Sequence, residues 1–311
     1  MKNAIANRQA ICDTLIELAQ QDRDILVLCS DSRGSAGLKP FADRLPGQFL
    51  EVGIAEQNIV GIAAGLAACG KKPVVASPAC FLSARAAEQV KVDVAYSRQN
   101  VVLLGISGGI SYGALGMSHH SLQDIALMRA IPGIDVIIPC DRFESAAVFH
   151  DLMRNPRPAY VRVGRNPVED VFEGEITHYM PAKATVLRPG DRAAIIASGE
   201  TVRFALDAAL MLEREGISIS VIDMHTLKPF DEGAVIEASK TGFLLTMEEH
   251  SICGGLGAAV AQVVCAHHPV PVTCLAIPDE PAIAGKSEEV YAHYGVTAHN
   301  AARIIKERLN A

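Results

Sequence analysis

The sequence predicts an α/β protein: a parallel-sheet domain followed by a smaller α/β domain. Three observations carry that expectation. Short, continuous apolar runs alternate with segments of helical period, as strands covered on both faces alternate with crossover helices. Gly, Pro and charged residues punctuate the ends of the runs. The alternation also stops between residue 164 and about residue 189, in a stretch of Pro, Gly and mixed charge that includes His178 and Tyr179, and then begins again. A chain of 311 residues suits two domains of ordinary size. They are expected at residues 1–166 and 190–311, with 167–189 as linker.

In order, residues 3–21 show helical spacing through Ile5, Ile11, Leu15, Ile16 and Leu18. Residues 24–30 (DILVLCS) read as a buried strand, with the 31–37 loop (DSRGSAG) at its carboxyl end. A second strand at 49–52 precedes a helix starting near Ala55. Further strands are expected at 72–77, 100–106, 136–139 and 159–163, with helices at 81–96, 122–130 and 145–154. A Gly-rich loop follows the 100–106 strand and runs through Gly116. Beyond the linker, strands at 193–197, 217–223, 242–247 and 270–274 alternate with helices at 201–215, 232–239, 255–266 and 297–309. Ligands of such sheets bind at the loops beyond the strands' carboxyl ends.

Composition narrows the function. The 28 Lys and Arg against 35 Asp and Glu give a formal charge of −7 with no basic run, which argues against nucleic acid or an anionic membrane as partner. Half the residues are hydrophobic and Trp is absent, so aliphatic residues must do the packing. The eight Cys show neither CxxC nor zinc spacing and read as free, buried thiols. No secretory leader and no apolar run of about 18 residues is evident, so a cytoplasmic location is expected.

The stretch from Glu51 to Gly70 organises the first domain. Small and apolar residues at helical spacing (Ile59, Ile62, Ala63, Leu66) follow Glu56, which falls in the first turn. A first-turn acid is ordinarily a complement to the helix dipole. Among small apolar neighbours it is also a carboxyl whose proton affinity can be raised for sharing with a ligand.

Other motifs weigh less. Gly105-Ile-Ser107-Gly-Gly109 matches the G-x-S-x-G elbow of serine hydrolases, but that elbow needs a helix directly after the Ser, and a Gly-rich loop follows here. Gly254-Gly-Leu-Gly257 lacks the third glycine and the later acid of a dinucleotide site, and reads as a tight turn for close helix–strand packing. His119 and His120 are adjacent and point apart, so they suit proton transfer or substrate hydrogen bonding better than a metal. P-loop, HExxH, EF-hand and G-D-G motifs do not occur.

Taken together, Val52-Gly-Ile-Ala-Glu-Gln-Asn58, Phe81-Leu-Ser-Ala-Arg85, Gly113-Ala-Leu-Gly-Met-Ser-His119-His, Arg129-Ala-Ile-Pro132, Pro139-Cys-Asp141 and Glu248-Glu-His250 resemble the C-terminal half of transketolase. The resemblance covers the whole chain, as a pyrimidine-binding domain followed by the transketolase C-terminal domain, and is closest to two-gene, split transketolases. It implies thiamine diphosphate as cofactor. Glu56 then matches the glutamate that hydrogen-bonds the aminopyrimidine N1′, a role served by a carboxyl pKa raised from about 4.3. Phe81 matches the ring packed on the pyrimidine, and Asp31 and Arg85 are placed beside the cofactor. His119 matches a histidine facing the substrate hydroxyls. Arg8, Ser35 and Arg165 fall where transketolases hold the sugar phosphate, and Ser107 and His120 also fall at substrate positions.

The chain departs from the family at several of these points. Leu115 stands where sugar-phosphate transketolases carry an acid, Ser107 where they often carry histidine, and His120 where they carry Gln. Lost hydrogen-bonding groups alter discrimination between hydroxylated substrates, so a branched, deoxy or otherwise unusual ketose phosphate is expected in place of xylulose 5-phosphate. The G-D-G signature for Mg²⁺ and diphosphate is missing from this chain. The resemblance therefore implies an N-terminal transketolase subunit carrying the diphosphate-binding domain and the metal ligands, in an α2β2 assembly. The alternative is the beta subunit of a 2-oxo acid dehydrogenase, or a half enzyme like deoxyxylulose-phosphate synthase. A non-catalytic remnant of the fold is disfavoured by the joint presence of Glu56, Phe81 and His119.

Overall fold

A computed structural model describes residues 4–177 and 179–310, so Met1, Lys2, Asn3, the linker residue His178 and Ala311 lie outside the described residues. The strands in chain order are β1 (Ala4–Ala6), β2 (Ile25–Cys29), β3 (Phe49–Glu51), β4 (Lys72–Pro78), β5 (Val102–Ile106), β6 (Asp135–Ile137) and β7 (Ala159–Arg162). They continue as β8 (Pro167–Glu169), β9 (Thr185–Arg188), β10 (Ala194–Ala197), β11 (Ser220–Asp223), β12 (Thr226–Lys228), β13 (Leu244–Ser251) and β14 (Val272–Ile277). Those that read as unbroken apolar runs are covered on both faces: β5, β7 and β10 are buried throughout.

The first sheet has the order β12-β6-β7-β5-β4-β2-β3, parallel except for the β12 edge. The second has the order β14-β13-β10-β11-β9, parallel except for the β9 edge. Helices Asn7–Gln21 and Arg142–Arg154 cover one face of the first sheet, where Ile11, Leu15, Val148, Phe149 and Leu152 join Val27, Val74 and Leu104 in one apolar cluster. On the other face, helix Glu56–Ala68 buries Ile59, Val60, Ala63 and Ala64. Ile62 and Leu66 pack there only in part, so the buried face is turned slightly from the one its spacing suggests.

Several expectations change. The linker is structured at both ends: β8 pairs antiparallel with β1, and β9 closes the edge of the second sheet. The helix expected from residue 3 starts at Asn7, because residues 4–6 are held in that β1–β8 ribbon. The helix expected at 81–96 is interrupted. Ala79–Ala84 ends at Arg85, and Val90–Tyr96 is a π-helix, a wide turn often found beside functional sites. Helix Arg142–Arg154 begins earlier than its apolar spacing suggests, because Asp141 caps it by accepting from the Phe143 and Glu144 amides at 2.9 Å. All eight cysteines are free, but Cys69, Cys253 and Cys265 are exposed and not buried as expected, since they sit at a helix end, in a turn and on an outer helix face.

The two domains also share an interior. β12, from the C-terminal part of the chain, adds an edge to the first sheet. One apolar cluster runs from Leu28, Ile59, Val75 and Leu103 to Ala194, Ile196, Leu244 and Val260. Among the described residues no helix is long and apolar enough to cross a membrane.

Candidate functional site

Glu56 is the first residue of its helix and only 2 % exposed. Its surroundings are less apolar than the sequence suggests. Arg85, just past the end of helix Ala79–Ala84, donates through Nη1 to Glu56 Oε2 at 2.9 Å from a half-exposed position. The same guanidinium lies 4.7 Å over the Phe81 ring. Phe81 meets His119 edge-on with ring centroids 5.3 Å apart, and His119 meets Tyr112 in the same way at 5.5 Å.

The row continues beyond Tyr112. Its hydroxyl donates to Ser35 Oγ at 2.8 Å, and Arg165 lies 4.6 Å over its ring. Arg8 donates through Nε to the Arg165 carbonyl at 3.2 Å and through Nη1 to the Ser35 carbonyl. Burial and the neighbouring Arg165 charge lower the Arg8 pKa. An acid, two aromatic rings, an imidazole and three guanidiniums thus stand in one file. Apart from Arg8, at a helix start, the members come from segments after β2, β3, β4, β5 and β7, at the carboxyl edge of the parallel sheet.

Most of the candidate residues belong directly to contacts in this file: Arg8, Ser35, Glu56, Phe81, Arg85 and Arg165, with His119 at its centre. Asp31 does not join it. It is exposed in the left-handed region at φ 53°, with its amide donating to Glu51 Oε1 at 2.6 Å. Ser107 and His120 lie behind the file, 1 % and 3 % exposed. His120 hydrogen-bonds through Nε2 to the Gly113 carbonyl at 3.2 Å, and burial lowers its pKa. Among the described residues, Ser107 Oγ and His120 Nδ1 are buried without a hydrogen-bond partner. Sequence reasoning missed Tyr112. The available signal is a lone aromatic inside a Gly-rich loop, which offers it no core position.

The Gly-rich loop rests on a buried ionic cluster between the domains. Arg162 donates through Nη2 to the Glu249 carbonyl at 2.6 Å and lies 3.4 Å from Asp124 Oδ2, which also accepts from Tyr160 at 2.7 Å. Glu249 Oε1 accepts from the Ile110 amide at 2.8 Å. Gly109 (φ 59°) has no room for a side chain, since a Cβ there would fall 2.2 Å from Glu249 Cδ. The nearby Gly254-Gly-Leu-Gly257 turn is likewise structural. Glu248 takes the Leu256 and Gly257 amides at 2.7 and 2.8 Å, and a Cβ at Gly257 would fall 2.6 Å from Cys274 Sγ.

One arginine serves several acids in this cluster, and one of them titrates unusually. Burial and the Glu249 charge push Glu200 up to about 8, against the opposing effect of Arg162. The folded chain holds that proton to a higher pH than the unfolded chain, so Glu200 weakens the fold as pH rises from about 4.5 to about 8. Glu200→Gln is expected to flatten stability against pH over this interval and to raise Tm at pH 8, as thermal melts at pH 6 and 8 would measure.

The chain is thus a two-domain α/β protein with a buried acid, an aromatic ring and an imidazole along the carboxyl edge of a parallel sheet. The transketolase pyrimidine binding domain matches residues 3–169, and the transketolase C-terminal domain matches residues 182–300. The chain belongs to the transketolase family. It is 50 % identical over 295 residues, 94 % of each chain, to an apulose-4-phosphate transketolase subunit of Phocaeicola vulgatus. It is 38 % identical to a 6-deoxy-6-sulfo-D-fructose transketolase subunit of a Clostridium species, covering 97 % of this chain and 95 % of that one. A solved split-gene transketolase described as an inactive β4 tetramer superposes with a TM-score of 0.89 at 36 % identity, covering 98 % of this chain and 99 % of that one.

Proposed function

We propose that this chain is the pyrimidine-holding subunit of a thiamine-diphosphate-dependent transketolase, which moves a two-carbon ketol unit from a ketose phosphate to an aldose phosphate. The observation that carries the reading is the continuous row Glu56–Arg85–Phe81–His119. A buried carboxylate with one oxygen taken by Arg85 keeps the other for a ring nitrogen, and the adjacent Phe81 offers an aromatic surface for a flat heterocycle. These residues fit an aminopyrimidine. They do not form a magnesium diphosphate site. The metal-capable grouping among the described residues is Cys140, Glu144 and Asp223, and none of its members belongs to the row.

Bound thiamine diphosphate supplies the carbon nucleophile. Glu56 orients the pyrimidine end and exchanges a proton with it, and Arg85 keeps the carboxylate in place. His119, held between two aromatic rings and bonded through Nδ1 to Ser118 Oγ at 3.0 Å, faces the substrate as a proton donor or acceptor. Arg8, Ser35 and Arg165 hold the substrate phosphate. Leu115, half-exposed beside them, offers no hydrogen bond to a sugar hydroxyl, which favours branched, deoxy or otherwise unusual ketoses. Relatives named for apulose 4-phosphate and 6-deoxy-6-sulfo-D-fructose support that direction.

An N-terminal transketolase subunit is then needed for the diphosphate and Mg²⁺, in an α2β2 assembly; the similar β4 tetramer described as inactive supports this. Co-expression with a chain bearing the G-D-G signature is the test. The pair is expected to transfer ketol units from ketose phosphates in a magnesium-dependent way, and the single chain is not. Full turnover by the single chain would overturn the reading, and CO₂ release from pyruvate would favour the dehydrogenase or synthase alternative.

A further inference from the structure

Beyond Tyr112 the site opens into a cleft of about 550 Å³, a size suited to a small polar substrate. One wall is the 111–115 loop with Arg165 and Asn166, and the other is the 285–288 segment of the C-terminal domain. The two walls are fastened together. The Gly285 amide donates to the Gly113 carbonyl at 3.1 Å, and Asn166 Nδ2 donates to Ser287 Oγ at 3.1 Å. Gly113 lies so close that a Cβ there would fall 2.1 Å from the Gly285 carbonyl oxygen. The position of Lys286 is therefore fixed by contacts to the substrate loop, while its side chain stays exposed.

The charge in this cleft is unbalanced. Among the described residues no carboxylate lies within 4.0 Å of Lys286 Nζ or of the Arg165 guanidinium. Glu288 also lines the cleft, but it borders the adjoining cavities by Phe204 and Tyr291 as well. Arg8 adds a further cation against the Arg165 carbonyl. Arg165 and Lys286 thus line the cleft against one acid, Glu288, and an excess of cations over acids favours an anion between them.

We propose that Lys286 is a specificity residue of the C-terminal domain: it contacts the terminal phosphate of the sugar from the wall opposite Arg165, so that the phosphate bridges the two domains. This rests on the transketolase reading above. It predicts a selective loss of binding. In the assembled two-subunit protein, Lys286→Ala is expected to raise KM for a phosphorylated aldose acceptor roughly 5- to 10-fold with kcat little altered, the size of one charge-assisted contact in a half-open cleft. KM for unphosphorylated glycolaldehyde stays unchanged. Lys286→Arg restores most of the loss. An unchanged KM for the phosphorylated acceptor, or an equal rise for both acceptors, would overturn the assignment. Should the wild-type assembly transfer no ketol unit, the transketolase reading fails by itself. Calorimetric binding of inorganic phosphate to the assembly, wild type against Lys286→Ala, then decides the role of Lys286: equal affinities reject it, and a 5- to 10-fold weakening supports it.

Discussion

Glu56→Ala in the assembled enzyme is expected to lower kcat by roughly three orders of magnitude, within the range of a positioned acid–base group. Glu56→Gln is expected to lose nearly as much, because it keeps the shape of the side chain and removes the exchangeable proton. The fold should tolerate both changes. The partner that is released, Arg85, is half-exposed and can be solvated where it stands. Arg85→Ala is different: it leaves a carboxylate that is 2 % exposed without its cation, at a cost of about 1–3 kcal/mol. The contrast separates a chemical from a structural role. Steady-state turnover and thermal melts of the three variants check it, and a Glu56→Ala assembly with near wild-type kcat would place the proton route elsewhere.

The sheets and most of the row were legible because their signals are local. An apolar run such as 24–30 or 100–106 records burial on both faces, and that follows directly from residue type. Glu56, Phe81 and His119 were legible through resemblance, each within a short motif. What escaped depends on distant parts of the chain. Residues 4–6 became a strand only because 167–169 lies beside them, and 226–228 joined the first sheet although it lies in the second half of the sequence. Arg85 was placed beside the cofactor by resemblance, but its pairing with Glu56, 29 residues away, depends on how two helices meet in space. Ser107 and His120 carry the same side chains whether they face a cleft or a core, so their burial could not be read from their identity. The second wall of the cleft, at 285–288, is more than a hundred residues from the loop it meets.

Arg162→Met is expected to cost about 3–5 kcal/mol, the usual consequence of removing one member of a buried ion pair, and so to lower Tm by roughly 10 °C. Arg162 ends β7 and is 4 % exposed, so no water can take its place beside Asp124 and Glu249. The acids cannot move away either. Asp124 is held by Tyr160, and Glu249 is held by the Ile110 amide. Without the guanidinium the proton affinity of Glu249 should rise above the raised value that burial already gives it. The loop above should loosen as well, because Gly108 and Gly109 pack directly on Arg162 and the same loop leads to Tyr112 and His119. Activity is therefore expected to fall with stability, unlike in the Glu56 variants. Neutralising an acid should recover part of the loss: Arg162→Met with Glu249→Gln is expected to be more stable than Arg162→Met alone. A double-mutant cycle on Tm would show this coupling, and strictly additive losses would mean that the cluster does not act as one electrostatic unit.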